Sequence, residues 1–387
     1  MKALEFDRAE ARYAAAAVTS RFRPGSGART GPLDLVETDP PELPGPGWHR
    51  VTTGLSGICG SDLATVDGRS ARYFEPWVSF PFIPGHEVMG RLGDGTRVAV
   101  ETVLGHASRG LEPPFEGAAP GDGDDYRHLV SGTLEPGIQT GYCASTGGGW
   151  STEFVAHESQ LHPLSDDLSD EAAVMIEPTA VGVHTALKAN VRPGQTVAVQ
   201  GAGTMGLVAI AALRRYTEAG TIIVGAKYPQ QRELAADLGA DIITEPDELI
   251  RAVRRITGSF MIGDDLSGGA DVVIDAVGSA ASVDTAIGMA RPRGRVVLVG
   301  MPGRVSVDLT ALWHRETELV GSYTYGTERL SDGTTARTFA LAADLVASAD
   351  LGRLVSATYP LESYVDAIAH AANAGRRGAI KVCFDLR

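Results

Sequence analysis

Cysteine is scarce: 387 residues carry three, Cys59, Cys143 and Cys383, far apart along the chain. That spacing excludes a disulfide framework and fits a reducing compartment, so a cytoplasmic location is expected. Also missing is any uncharged apolar run long enough to cross a bilayer, and residues 1–10 lack the basic, apolar pattern of a signal segment. Basic residues are in deficit, 34 Lys and Arg against 48 Asp and Glu, for a net charge of −14. This charge argues against nucleic acid or an anionic membrane as a partner. No internal repeat is visible. What remains is chain enough for two or three domains and a substantial core, with 47 Gly and 21 Pro spread along it rather than gathered into a linker.

The most regular stretch runs from 196 to 213. A short apolar run, Val197, Ala198 and Val199, ends at Gly201, and the Ala-rich segment after Gly206 reads as a helix. Between them lies G-x-G-x-x-G, with Gly201, Gly203 and Gly206 enclosing Thr204 and Met205. The glycines suit a tight turn, close approach of a pyrophosphate to bare backbone, and packing of helix on strand. The phosphates would meet the free N–H groups and positive end of the helix. A plain structural turn is the alternative, but the strand–turn–helix setting favours a dinucleotide.

Residues 1–94 read as an all-β region, with short apolar segments such as 49–54 and 97–100 between Pro-Gly and Gly-rich turns. Within it, Gly-Ile-Cys-Gly-Ser-Asp occupies 57–62 and Pro-Gly-His-Glu 84–87. A thiolate from Cys59, an imidazole from His86 and a carboxylate from Glu87 are a reasonable zinc set, since catalytic zinc commonly takes three protein ligands and a water. A buried core cysteine and a satisfied turn histidine remain the alternative, because the 27-residue separation has no self-evident ligand spacing.

These two motifs, Ile-Glu-Pro at 176–178 and the glycine turn stand in the order seen in zinc-dependent medium-chain dehydrogenases, which the chain resembles over nearly its whole length. The resemblance implies a GroES-like, β-rich catalytic domain at 1–178 plus 323–387, and a Rossmann cofactor domain with a doubly wound parallel sheet at 179–322. It implies one catalytic zinc held by Cys59 and His86, with Glu177 or Glu87 as a further ligand. Asp62 then corresponds to the carboxylate that orients the ligand histidine, and Ser61 to the hydroxyl that takes the substrate's alcohol proton. Some alcohol dehydrogenases finish that relay with a histidine where this chain has Ala64, so the proton is expected to leave by another route, through water or a ribose hydroxyl. Zinc is expected to act as a Lewis acid on an alcohol or carbonyl oxygen, with hydride passing to or from a nicotinamide in the cleft between domains.

Many relatives carry four cysteines for a structural zinc in the region of 105–141, where this chain has none. His106, His128 and scattered acids do not replace a four-thiolate cage, so no structural zinc is expected, and Cys143 is expected to be buried or to line the cleft. Residues 152–164 alternate like strands, and 170–190 read as helix. Beyond 191, strand candidates at 197–199, 221–224, 271–276 and 295–299 alternate with helical segments such as 230–238 and 282–290, the pattern of a parallel sheet with helices on both faces. A last strand precedes Gly321, and an amphipathic helix at 335–348 opens the expected return to the first domain.

About 20 residues past a glycine fingerprint, an acid holds the NAD ribose and a basic residue suits the NADP phosphate. Here that position is Ala226, with Lys227 next and Arg232 one helical turn on, so NADP is expected over NAD. Val277, Val299 and Lys381 complete the candidate cofactor contacts. Glu177 in place of a cysteine resembles polyol, sugar and threonine dehydrogenases, which implies a polar secondary alcohol or ketone as substrate. Phe74, Trp77 and Trp150 are candidate pocket walls. A homodimer or homotetramer is expected from the resemblance. Rival readings are a zinc-free quinone or enone reductase of the same fold and a non-catalytic cofactor-binding protein.

Overall fold

The computed structural model describes residues 1–263 and 265–387, which divide into two compact units: Met1–Glu177 with Asp350–Arg387, and Pro178–Ala349. Among the described residues, no helix is long and apolar enough to cross a membrane.

The first unit is built on a seven-stranded sheet. Its central strand Trp48–Gly57 pairs antiparallel with Val88–Arg91 on one side and Lys381–Asp385 on the other, and with Glu153–His157 over its first half. Trp48–Gly57 buries alternate residues such as Val51, as a strand with one covered face must. The region expected to be all β contains a helix, Glu10–Thr19, inserted between the paired strands Lys2–Phe6 and Leu33–Glu37. The run Ala14, Ala15, Ala16, Ala17 explains it, since alanine is the best helix former, with no side-chain entropy to lose, and Ala16 is buried against the rest of the unit.

Residues 105–141 form an irregular lobe of single 3₁₀ turns, Ala107–Arg109 and Arg127–Val130. Arg109 lies at its centre, fully buried. Its guanidinium donates to the carbonyls of Leu104 (3.2 Å), Ser131 (3.1 Å), Glu135 (3.4 Å) and Gly137 (2.6 Å). One planar fork thus ties together backbone segments that have no sheet to hold them. His106 and His128 stack at 4.1 Å beside it. Cys143 is fully buried with Leu104, Leu134, Val155 and Trp48, and so lines no cleft.

The second unit has a six-stranded, all-parallel sheet in the order Ile242–Thr244, Thr221–Gly225, Thr196–Gln200, Ala270–Asp275, Ala290–Leu298, Glu318–Gly321. The order reverses at Thr196–Gln200, the strand that runs into the glycine turn, which creates the crevice where doubly wound folds bind nucleotides. The helices Thr204–Tyr216, Pro229–Asp237 and Ala280–Met289 fall close to the segments read from periodicity.

The chain returns to the first unit at 350, later than the expected 323. Residues 322–349 stay with the parallel sheet because the hairpin Thr327–Arg329/Thr335–Arg337 and the helix Thr338–Ser348 are anchored there. Tyr216 donates to the Leu341 carbonyl at 2.7 Å, Arg215 meets Asp344 at 3.2 Å, and His184 Nδ1 contacts Glu328 at 2.6 Å.

Candidate functional site

Strand pairing gathers the first site. Cys59 follows the end of Trp48–Gly57 and starts the helix Gly60–Val66, which carries Ser61 and Asp62. His86 and Glu87 lead into the neighbouring strand Val88–Arg91, where the Gly57 N–H donates to the Glu87 carbonyl at 2.8 Å. Lys381 opens the strand on the other side, and the Ile58 N–H donates to Val382 at 3.0 Å. Residues remote in sequence therefore meet at one end of the sheet.

Asp62 organises the group. It is buried, accepts the Cys59 N–H at 3.0 Å through Oδ2, and places Oδ1 3.3 Å from His86 Nδ1. His86 Nε2 lies 3.3 Å from Ser61 Oγ, and the Cys59 thiol acts electrostatically on the same ring. Burial works against a charged imidazole, but Asp62 and then Cys59 outweigh it and hold the His86 pKa well above its ordinary value. These surroundings favour positive charge at the ring, which is the electrostatic requirement of a cation site. Thiolate, imidazole and an orienting carboxylate fit zinc in donor chemistry.

The expected third ligand is not gathered with them. Glu177 is buried at the start of the helix Ile176–Lys188. Among the described residues, no three His, Cys, Asp or Glu side chains stand in a metal-holding arrangement. Glu87 is engaged by Lys381, whose Nζ donates to both its oxygens, at 2.7 and 2.6 Å, with both side chains buried. The Lys381 ammonium, a candidate cofactor contact, meets Glu87 and the Ile58 carbonyl, the latter at 3.5 Å. Burial disfavours its charge, and Glu87 more than offsets this, raising the Lys381 pKa. Next to this pair, burial pushes the Cys383 thiol up to about 12.

Tyr142 also belongs to the site, and nothing in its sequence context marked it. Its ring lies 5.8 Å from that of His86, and its hydroxyl lies 3.4 Å from Asp62 Oδ1 and 3.3 Å from Thr65 Oγ1. Burial, then Asp62, pushes the phenol well above its ordinary pKa, so it stays protonated.

Of the three candidate pocket aromatics, Trp150 is a core residue. It is fully buried, donates through Nε1 to the Gly57 carbonyl at 3.3 Å and meets Phe384 edge-on at 5.2 Å. Phe74 and Trp77 are half-buried on the 3₁₀ segment Arg72–Trp77, where Tyr73 packs edge-on against both and Tyr126 lies 5.5 Å from Trp77.

In the second unit the glycines divide their work as their positions demand. Gly201 takes φ +88°, a left-handed conformation that glycine adopts without strain. A Cβ on Gly206 would lie 1.9 Å from the Gly201 carbonyl oxygen, whereas one on Gly203 would meet nothing within 4 Å. Gly203 is the N-cap of the helix Thr204–Tyr216, so open space lies over its first N–H groups at Thr204 and Met205. Val277, exposed, and Val299, half-buried, follow the strands Ala270–Asp275 and Ala290–Leu298. Buried Asp275 fixes the first of these turns by accepting the Val277 N–H at 2.9 Å. Ala226 is buried after Thr221–Gly225, and Lys227 is exposed. Arg232 donates to the carbonyls of Ala226 and Lys227, each at 3.3 Å, and pairs with Glu245, so its charge is partly neutralised within the chain.

Two family models match the chain: an alcohol dehydrogenase GroES-like domain over residues 45–166 and a zinc-binding dehydrogenase over residues 204–340. Sorbitol dehydrogenase of Bacillus subtilis is 29% identical over 332 residues, covering 81% of this chain and 84% of that protein. L-idonate 5-dehydrogenase of Vitis vinifera is 28% identical over 322 residues, covering 76% and 78%. The crystal structure of 2R,3R-butanediol dehydrogenase from Bacillus subtilis superposes with a TM-score of 0.71 over 99% of both chains at 20% identity, a likeness of fold.

Proposed function

The chain belongs to the zinc-type medium-chain dehydrogenase family, and from that premise we propose that it transfers hydride between NADP(H) and a polar secondary alcohol or its ketone at one catalytic zinc. The observation that carries this reading is the Cys59–His86–Asp62 cluster with Ser61 Oγ 3.3 Å from the imidazole Nε2. Cys59 and His86 would hold the metal, and Glu177 is the proposed third ligand. When bound, zinc supplies Lewis-acid polarisation of the substrate oxygen, and the nicotinamide accepts or supplies the hydride.

The chain's own side chains then have separate tasks. Asp62 holds His86 from the Nδ1 side and so fixes the ring's orientation. Ser61 takes the alcohol proton. The Lys381–Glu87 pair supports the strand ends from which Cys59 and His86 project. The helix that begins at Thr204 offers its first N–H groups to the pyrophosphate across the bare Gly203. Lys227 and Arg232 favour the 2′-phosphate, with no acid at Ala226 to repel it.

The relatives named sorbitol and L-idonate 5-dehydrogenase support a polyhydroxylated substrate for this chain, and Phe74 and Trp77 are proposed walls of its pocket. A homodimer or homotetramer is also proposed. Trp313 and Leu319, exposed beside and on the edge strand Glu318–Gly321, are apolar surface of the kind an oligomer covers.

The test is zinc content per chain, for the wild type and Cys59→Ala, together with NADPH and NADH binding and turnover of a polyol panel. About one zinc per chain, lost in the variant, with NADPH-linked turnover, supports the reading. Retained turnover without zinc would favour the zinc-free reductase.

A further inference from the structure

Position 64 carries alanine, so the helix that holds Ser61 has no basic side chain one turn on to receive a proton. The neighbouring position does carry a hydroxyl. Ser61 and Thr65, four residues apart on the helix Gly60–Val66, share one face. Thr65 is buried, where a valine would fill the same volume, yet its Oγ1 is 2.8 Å from Ser70 Oγ and 3.3 Å from the Tyr142 hydroxyl. The Ser61 side chain also acts on the Tyr142 phenol, and both residues border the His86 ring, Ser61 Oγ 3.3 Å from Nε2 and the Tyr142 ring at 5.8 Å. Ser70 is half-exposed, in the turn that packs against the inserted helix Glu10–Thr19 through Tyr13. Hydroxyls therefore run from beside the Ser61–His86 contact through Tyr142 and Thr65 to the half-exposed Ser70.

We propose that Tyr142, Thr65 and Ser70 form a relay that carries the substrate alcohol's proton from Ser61 to solvent. The proposal rests on the dehydrogenase reading above. As the alcohol O–H breaks, Ser61 Oγ takes that proton and gives its own to Tyr142. Tyr142 passes its phenolic proton to Thr65, Thr65 passes one to Ser70, and Ser70 passes one to water. Each oxygen gains one proton and loses one, so no hydroxyl ends charged, and the reverse sequence serves carbonyl reduction. Thr65 also donates to the Ser61 carbonyl at 3.0 Å, so its hydroxyl must rotate once per transfer, a fast motion for a single χ1.

The relay makes Tyr142 and Thr65 positioning residues that act through Ser61, and the test must separate this from a packing role. The zinc- and NADP-loaded full chain is compared with Tyr142→Phe, Thr65→Val and the double variant. Zinc per chain, NADPH affinity and thermal midpoint are expected to match the wild type. With sorbitol, kcat is expected to fall at least about tenfold in each single variant, with no further loss in the double because both cut one path. The solvent deuterium isotope effect rises, and the effect of carbinol deuteration on sorbitol shrinks, because the proton step becomes limiting. If kcat stays within about twofold while the wild type turns over, the relay alone is overturned, and the proton leaves by water or a cofactor hydroxyl. Slow variants with a larger carbinol effect, or with lost zinc, also overturn it. A wild type inactive on every polyol overturns both the relay and the function it rests on.

Discussion

Lys381 Nζ lies 2.7 and 2.6 Å from the two carboxylate oxygens of Glu87, and both side chains are buried although 294 positions separate them in sequence. The pair joins the strands on either side of Trp48–Gly57, so it closes the sheet directly behind Cys59 and His86. A buried ion pair adds little over an apolar pair of the same volume, but removing one partner leaves an uncompensated charge.

Lys381→Met is therefore expected to cost about 3–5 kcal/mol in denaturant unfolding, and the double variant Lys381→Met/Glu87→Leu should recover most of that loss. A single substitution costing less than about 1 kcal/mol, the range of exposed pairs, would refute the structural role.

Arg109→Met should uncouple the 105–141 lobe, because the Leu104, Ser131, Glu135 and Gly137 carbonyls lose a common donor. Unmet buried acceptors put the cost at about 2 kcal/mol or more. Arg109→Lys should rescue little, since an ammonium cannot span the four acceptors as a planar fork does. Hydrogen exchange read segment by segment checks this: faster exchange confined to the lobe is expected, and full rescue by lysine would contradict it.

The same lobe should weaken in acid. Burial, then His106 and Arg109, pulls His128 down to about 4, whereas an unfolded histidine titrates near about 6.5. Between those values the unfolded chain binds the extra proton, so the stabilisation is complete above the unfolded value and is lost as pH falls through the folded one. Exchange protection at 105–141 should therefore drop between neutral pH and about 5. His128→Phe, which keeps a ring against His106, should flatten that dependence, and an unchanged slope would rule out His128 as its source.

How legible all this was in the sequence depended on whether a residue's role is local. The glycine turn was legible because its demands, φ +88° at Gly201 and a missing Cβ at Gly206, are met within six positions. Cys59, Asp62 and His86 stood out by chemical type. Tyr142 did not, because it reaches the site only through the folding of a distant loop and an isolated Tyr carries no periodic signal; Lys381 reads from sequence as a cofactor contact, and its pairing with Glu87, 294 positions away, was not legible. Trp150 misled for the opposite reason: an aromatic beside a glycine turn suits a pocket and a core equally, and only packing against Phe384 decides. The 322–349 segment followed its contacts with Tyr216 and His184, which periodicity could not show.

Gly203 and Gly206 make a discriminating pair of substitutions. Gly206→Ala should lower the thermal midpoint, because its Cβ would sit 1.9 Å from the Gly201 carbonyl oxygen, a clash of backbone against backbone. Gly203→Ala meets nothing within 4 Å and should leave the midpoint unchanged. Its methyl instead occupies the approach to the helix N-terminus and should weaken NADPH binding by about tenfold, or roughly 1.4 kcal/mol. Equal effects of both changes on stability and binding would remove the assigned division of labour.

Glu245 is the last residue whose charge bears on cofactor choice. It pairs with Arg232, which also donates to the carbonyl of Ala226 just past Thr221–Gly225, and half of the Glu245 side chain is exposed. A carboxylate there both repels a 2′-phosphate and occupies the guanidinium that would bind it. Glu245→Gln frees Arg232, and because exposed pairs contribute at most about 1 kcal/mol, the fold should not suffer. NADPH affinity should then rise by roughly threefold to tenfold while NADH affinity stays level. Lys227→Ala should act in the opposite direction on NADPH alone. Both effects should fade at high salt, since the groups are solvent-exposed and screened. Fluorescence titration of the two reduced cofactors at low and high salt measures all of this, and equal shifts for NADH and NADPH would show that Lys227 and Arg232 do not read the phosphate.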